Sequence, residues 1–570
     1  MFLVAAMHLA VLTTGVQVNA HALPDQAVTP HDIPGAIGID LVDHLSQRDI
    51  EVFETEMGLV LQASSVLTAR TRIHTVEVSP EQVDAWLRKL RDDRRVQHVE
   101  PIAKVFALGD SSESVSGLSL PMDRVGARRA WRYSTGRGVT VAVVDTGVDC
   151  ENRSPFLTCL DLSHTGCRTG FNVVDSTPNT LDDNGHGTYV AATIAQSTNQ
   201  GWSAFGMAFH ARLLPVKALN SRGWGTTLTV ADGIRYAADA GAHVINLSLG
   251  GQRASRIMFD SIQYARSKGA TVVAAAGDND DFIMYPAGFD GVLAVAAMDN
   301  SNRIAEFSLG GAHVDLAAPD MPHTHQTDCG NTDECRQRVA GVSGSSVAAA
   351  QVSAAAALLM SVGVVDPVHV HALLLSSARP QAMDSRKGQP AAIGILDAGQ
   401  AVHTAVSTQV VARLVLVFLF TGVVLLCVHR KGGLRHPWRT GYWFAALAFG
   451  PGLFAAAPWV TSRAYLLVDL LARPIPEWDL LIGVSVHRWL PLAHCVVPFA
   501  LSAGAFRFRR ARPYIAGVAI GIASYLASIP LLELTTSDLR ARAMQTAWAL
   551  LNVAGCVWLA FLQLDERETV

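Results

Sequence analysis

Between residues 139 and 404 the apolar positions fall by turns into short β-branched runs and longer stretches with helical spacing. Residues 139–144, 213–219, 243–247, 271–276 and 292–297 read as buried strands, with helices at 227–240 and 255–268 between them. This alternation predicts an α/β fold, a parallel sheet with helices on both faces. Upstream, residues 52–105 combine alternating runs with an amphipathic helix at 80–90, where Val83, Trp86, Leu87 and Leu90 share a face. They read as a small α+β unit, bounded at 50–108. A Ser/Gly-rich linker at 109–120 separates it from the larger unit at 121–404. Downstream the pattern changes again. Apolar stretches at 410–428, 442–460, 480–501, 514–532 and 544–564 predict about five membrane-spanning helices within 409–564.

Composition sharpens that division. Half of the 570 residues are hydrophobic and 16% are charged, with a mean hydropathy of +0.25, too apolar for a chain soluble throughout. The net charge of −4 comes without a basic stripe interleaved with aromatics, which argues against nucleic acid as a partner. Residues 1–22 place an apolar core before Val18, Ala20 and Ala22, the pattern of a cleaved signal peptide. No Lys or Arg precedes that core, so an uncleaved anchor stays open. Arg430, Lys431, Arg435 and Arg439 follow the first apolar stretch, and Arg507, Arg509, Arg510 and Arg512 the third, while the alternate loops carry fewer cations. That asymmetry puts the 121–404 unit outside the cytoplasm, on a multi-pass membrane protein. Cys150, Cys159, Cys167, Cys329 and Cys335 fit an oxidising compartment. Their pairing is open, and they lack the regular spacing of a zinc site.

Three polar islands sit where strands end, the usual place for reactive groups in such folds. The first is Asp145, closing the run Val141-Ala142-Val143-Val144. The second is His186 between Gly185 and Gly187, opening a small-residue helix. The third is Ser343-Gly344-Ser345-Ser346, running into an Ala-rich helix without charge. A serine at a helix N-terminus lies where developing negative charge is stabilised. Each island alone has a plainer reading: a turn carboxylate, a helix-start histidine, a cap. Together, in these contexts, they supply a nucleophile, a base and an orienting acid.

The boxes VAVVDTGVD, NGHGTYVA and SGSSVAAAQVSAAAALL resemble the Asp, His and Ser boxes of the subtilisin-type serine proteases, the subtilases. VINLSLGG at 244–251 resembles the strand that lines their substrate cleft, and GILDAGQAV at 394–402 the last turn of their domain. The 50–108 unit resembles their inhibitory prodomain. The resemblance implies Ser346 as nucleophile, His186 as general base and Asp145 as its orienting acid. It implies Ser248, Leu249 and Gly250 as a backbone edge for an extended substrate, with Ala276 and Gly277 as uncharged walls of a pocket for an apolar or medium-sized residue. One position departs. Asp278 stands where the family carries the oxyanion-binding Asn, and a carboxylate has no proton to donate. Calcium is usual in the family, but no run of ligands here compels it, and no other cofactor is expected.

The expected protein is a membrane-anchored extracytoplasmic serine endopeptidase made as a self-processed zymogen, acting on proteins or peptides near the bilayer. Two rivals stay open: a peptide-binding pseudoprotease, motivated by Asp278, and a channel or receptor with an accessory protease-like domain.

Overall fold

The computed structural model describes residues 28–67, 71–108, 110–112, 121–150, 162, 165–197, 206–278, 284–311, 313–320, 323–328, 336–380, 392–431, 440–452, 466–484, 496–505, 508–532 and 539–565. The expected signal peptide, most of the linker, and Cys159, Cys329 and Cys335 lie outside them. Cys150 and Cys167 form a disulfide.

The N-terminal unit begins earlier than the sequence suggests. Its strands are β1 (Asp32–Leu41), β2 (Gln62–Ala63), β3 (Ile73–Glu77) and β4 (Val96–Ala107), with helices α1 (Gln47–Met57) and α2 (Val83–Arg91). β1 is central, antiparallel to both β3 and β4. Gly35 and Gly38 interrupt its apolar pattern, so it does not read as a strand. The expected face of α2 is buried through Val83, Leu87 and Leu90, packed with Ile37, Ile39 and Phe53. β5 (Asp110–Ser112) follows.

The larger unit then alternates strand and helix: β6 (Thr140–Asp145), β7 (Phe171–Asn172), α3 (His186–Ala195), β8 (Arg212–Lys217), β9 (Trp224–Thr226), α4 (Thr227–Asp239), β10 (Val244–Leu247), β11 (Leu249–Gly250) and α5 (Arg256–Ser267). It continues through β12 (Thr271–Ala275), β13 (Leu293–Met298), β14 (Leu316–Pro319), β15 (His323–Asp328), β16 (Arg336–Ser343), α6 (Ser345–Ser361) and β17 (Gly394–Ile395). Its main sheet has the order β17-β14-β13-β12-β10-β6-β8-β7, and its paired strands run parallel, as the alternation predicts. From β6 the chain builds outward through β8 on one side and through β10 on the other. The carboxyl ends of these strands therefore form the crevice where such sheets carry their sites. α6 runs through the core with all its residues buried. Its run of Ala, Ser and Val lets the helix lie close against β10, β12 and β13.

Helix α7 (Ala398–Arg430) starts inside this core, with Ala398, Val402, Val406 and Val410 buried in it, and continues as one helix through 404–409, where the sequence suggests a boundary. The C-terminal region also contains α8 (Leu466–Ala472), α9 (Arg512–Leu532) and α10 (Leu539–Leu564). Among the described residues three helical stretches, Ala398–Arg430, Arg512–Leu532 and Thr546–Leu564, are long and apolar enough to cross a membrane. The apolar stretch that starts at 480 differs from its expected role at that end. Leu480 and Val484 are buried in the protease-like core.

Candidate active site

Three chain turns bring the polar islands together. Asp145 ends β6 with its side chain fully buried, His186 opens α3 after Gly185, and Ser346 lies in the first turn of α6 after Gly344. Asp145 Oδ1 pairs with His186 Nδ1 at 2.7 Å and also accepts from the Thr146 N–H at 2.7 Å. His186 Nε2 stands 3.2 Å from Ser346 Oγ. Ser248 holds the serine from below: its Oγ donates to the Ser346 carbonyl at 2.8 Å, and its carbonyl accepts from Ser346 Oγ at 3.1 Å. This order (carboxylate, imidazole, hydroxyl) lets a ring held in one orientation take a proton from oxygen.

The cleft is filled by the chain itself. The end of β4 enters as a middle strand, pairing antiparallel with β9 through Lys104–Phe106 and with β11 through Phe106 and Ala107. Leu108 N–H donates to the Ser248 carbonyl at 3.2 Å, and the Leu108 carbonyl lies 3.0 Å from His186 Nε2. The Leu108 side chain is buried against Gly250 and Met284. A Cβ on Gly250 would come within 3.0 Å of Leu108 Cδ1 and 3.1 Å of Met284 Cβ, so glycine leaves the room that leucine fills. Beyond Leu108 the chain pairs again, β5 with β16.

Asp278 follows β12 and faces the start of α6. Its Oδ1 accepts the Ser345 N–H at 2.8 Å, and among the described residues its buried Oδ2 has no hydrogen-bond partner. Ser345 Oγ accepts the Gly277 N–H at 3.3 Å, tying the same two segments.

Residues 136–395 match the model of the subtilase family. Thermitase of Thermoactinomyces vulgaris is 37% identical over 243 residues, 42% of this chain and 81% of that protein. Subtilisin Savinase of Lederbergia lenta is 39% identical over 229 residues, 40% of this chain and 78% of that protein. The chain belongs to the subtilase family. It is accordingly a serine-type endopeptidase by descent. The crystal structure of fervidolysin from Fervidobacterium pennivorans, a keratinolytic enzyme related to subtilisin, shares the fold with a TM-score of 0.54 at 21% identity. That match spans 66% of this chain and 62% of fervidolysin.

In this subtilase, burial by itself would lower the His186 imidazole. The charge and hydrogen bond of Asp145 outweigh it, with help from the Leu108 carbonyl and Asp182, and lift it to about 9. The filled cleft therefore favours a protonated imidazole donating to Leu108, a state unable to accept the serine proton. Burial raises the Asp278 carboxyl, while hydrogen bonds from Ser345 and the nearby His186 pull it back. Tyr189, where subtilases commonly carry His, is buried with its ring edge-on to His186 at 5.9 Å.

Of the expected pocket residues, Ser248, Leu249 and Gly250 meet the inserted strand. Gly277 ties the loop to Ser345, and Ala276 packs into a core cluster with Ala296, Met298 and Ile304. Sequence reading missed two contributors. Met284 walls the Leu108 side chain, and β9 supplies the second edge of the cleft, where the Gly223 carbonyl accepts from Ala107 N–H at 2.8 Å. The Gly-Trp-Gly run at 223–225, set between a strand and a helix, was the available signal for the latter. Among the described residues no group of three or more His, Cys, Asp or Glu side chains is arranged to hold a metal ion.

Proposed function

We propose that this chain is a membrane-anchored, extracytoplasmic serine endopeptidase, made as a zymogen that cuts itself after Leu108. An extended substrate takes the place of residues 104–108 between β9 and β11, with the residue before the scissile bond against Gly250 and Met284. Once neutral, His186 takes the Ser346 proton as Oγ attacks the carbonyl carbon, and Asp145 holds the ring and balances its charge. The imidazolium returns the proton to the leaving amine, giving an acyl-enzyme that water hydrolyses by the same route. Asp278 occupies the oxyanion position. The apolar helices α7, α9 and α10 support anchoring in a lipid bilayer, and the arginine pattern supports a protease unit outside the cytoplasm.

The observation that carries this reading is Leu108, just after β4, whose carbonyl lies 3.0 Å from His186 Nε2 while Ser346 Oγ stands 3.2 Å from the same nitrogen. N-terminal sequencing of the processed protein tests it: the mature chain should begin at Gly109 or within the linker that follows. A start upstream of Lys104 would refute the zymogen reading. A weakly active peptide-binding protein is the second reading, and Asp278 is the observation that favours it.

A further inference from the structure

The segment 466–484 is packed as part of the protease unit. Leu480 and Val484 are buried in the same core as α6, and Val484 N–H donates to the Gly138 carbonyl at 3.2 Å. Gly138 has no room for a side chain there, since a Cβ would fall 1.6 Å from the Leu480 carbonyl oxygen. Buried Arg473 pairs with Asp469 at 3.0 Å and grips both the carbonyl and the hydroxyl of Ser361, the last residue of α6. On α7, Gln409 donates to the Val362 carbonyl at 3.2 Å, and Arg413 meets Glu477 at 2.7 Å. α7 is unbroken as well, so among the described residues the unit passes into its first apolar helix without an intervening loop.

The same contacts locate the lipid edge. Just past Gln409, α7 begins to expose apolar side chains, with Val411, Val415 and Phe418 at 46%, 53% and 61%. The packed segment exposes Leu467, Trp478 and Ile482. An exposed tryptophan among aliphatics suits the membrane–water interface. The membrane side of the protease unit is thus marked by Ser361, where α6 ends, and by Gly138, just before β6 begins. The reactive groups lie at the opposite ends of both elements. From Ser361 back to Ser346 is about 22 Å of helix at ~1.5 Å per residue. From Gly138 to Asp145 is at most about 23 Å of mostly extended chain at ~3.3 Å per residue. Two elements running in opposite directions set similar upper bounds on that height.

We propose that the anchor holds the cleft on the face turned away from the bilayer, about 20 Å above it, so that the protease selects its membrane-bound substrates by stem length. This rests on the anchored-protease reading above. Its substrates are soluble chains, and membrane proteins whose scissile bond can rise to that height. At ~3.3–3.6 Å per residue a fully extended stem needs about six residues, and a Gly/Ser coil matches the height at about thirteen. Bonds closer to the lipid are spared.

The test uses the full chain in vesicles, confirmed by flotation, with one leucine-containing scissile peptide presented four ways. One form is free in solution, and three are fixed to a transmembrane helix by Gly/Ser stems of about four, thirteen and twenty-four residues. The free peptide and the two longer stems should be cut, and the shortest at least about tenfold more slowly than the longest. Cleavage of the shortest stem within about twofold of the longest overturns the height rule while leaving the anchored protease standing. A chain that fails to float, or an uncut free peptide, instead overturns the reading beneath, and the rule falls with it.

Discussion

Replacing Asp278 with Asn is the perturbation whose outcome the geometry specifies most fully. The Ser345 N–H fixes Oδ1 of the present side chain at 2.8 Å, while Oδ2 is buried without a partner among the described residues. An asparagine keeping the first contact must place its amide nitrogen where Oδ2 now lies, a buried donor next to the start of α6. Loss of one oxyanion donor typically costs about 100- to 1000-fold in turnover, roughly 3–4 kcal/mol of transition-state stabilisation, so Asp278→Asn can recover up to that amount. The gain depends on pH. Burial holds the Asp278 carboxyl above its usual range, so its protonated form, which has an O–H to donate, persists into milder acid and is lost as pH rises through the raised value. The wild type should show a narrow bell, limited on the acid side by protonation of His186 and on the alkaline side by ionisation of Asp278. In the variant the alkaline limb should move upward, and the gain should grow with pH. The folded state should also gain stability near neutrality, because a group with a raised value contributes stability at low pH and loses it as pH rises. The assay is turnover of a leucine-containing peptide from pH 5 to 10, per active site titrated with a fluorophosphonate. Lower turnover than wild type at every pH would refute the reasoning and give the carboxylate another task.

Two further outcomes follow from the contacts of the N-terminal unit. Asp40 on β1 is 2% exposed and faces Arg235, His98 and Asp260, and burial is the main cause that lifts its carboxyl to about 7 from the usual 3.8. Docking of the cleaved unit should therefore be strongest below about pH 4 and lose up to about 4 kcal/mol as pH rises to about 7. Glu100, buried where it caps α5 through the Arg256 N–H, shifts in the same direction. The cleaved unit should wash from membranes at pH 8 and stay at pH 5, Asp40→Asn should retain it at both, and equal retention of the wild-type unit at both would count against the linkage. In the pocket, Gly250→Ala should lower kcat/KM for leucine before the scissile bond by about tenfold and spare alanine, since one methylene in such a pocket is worth about 10- to 200-fold. An unchanged preference would remove Gly250 from the pocket.

The α/β alternation and the three polar islands were legible because they are local: strands end in glycine- or serine-rich turns, and helices begin there. What was not legible depends on distant partners. β1 carries Asp32 and Asp40 in a run broken by glycines, and these carboxylates make sense only against Arg253 and Arg235 of the larger unit. The edge strands β9 and β11 are two or three residues long and become a sheet only when β4 inserts between them. The continuity of α7 was hidden because hydropathy rises near Val410 while the helix begins at Ala398. Asp469, Arg473 and Glu477 look like a charged break between apolar stretches until Ser361, Arg137 and Arg413 appear as their partners.

The central claim is that Ser346 is a nucleophile activated by His186 and Asp145. Labelling with a serine-directed fluorophosphonate tests it most directly, on processed wild type, on Ser346→Ala, and on a chain denatured before exposure. The account predicts a single covalent adduct on wild type, mapped by peptide mass to Ser346, and none on the variant or the denatured chain. Equal labelling of wild type and Ser346→Ala, or an adduct mapped to another serine, would contradict it.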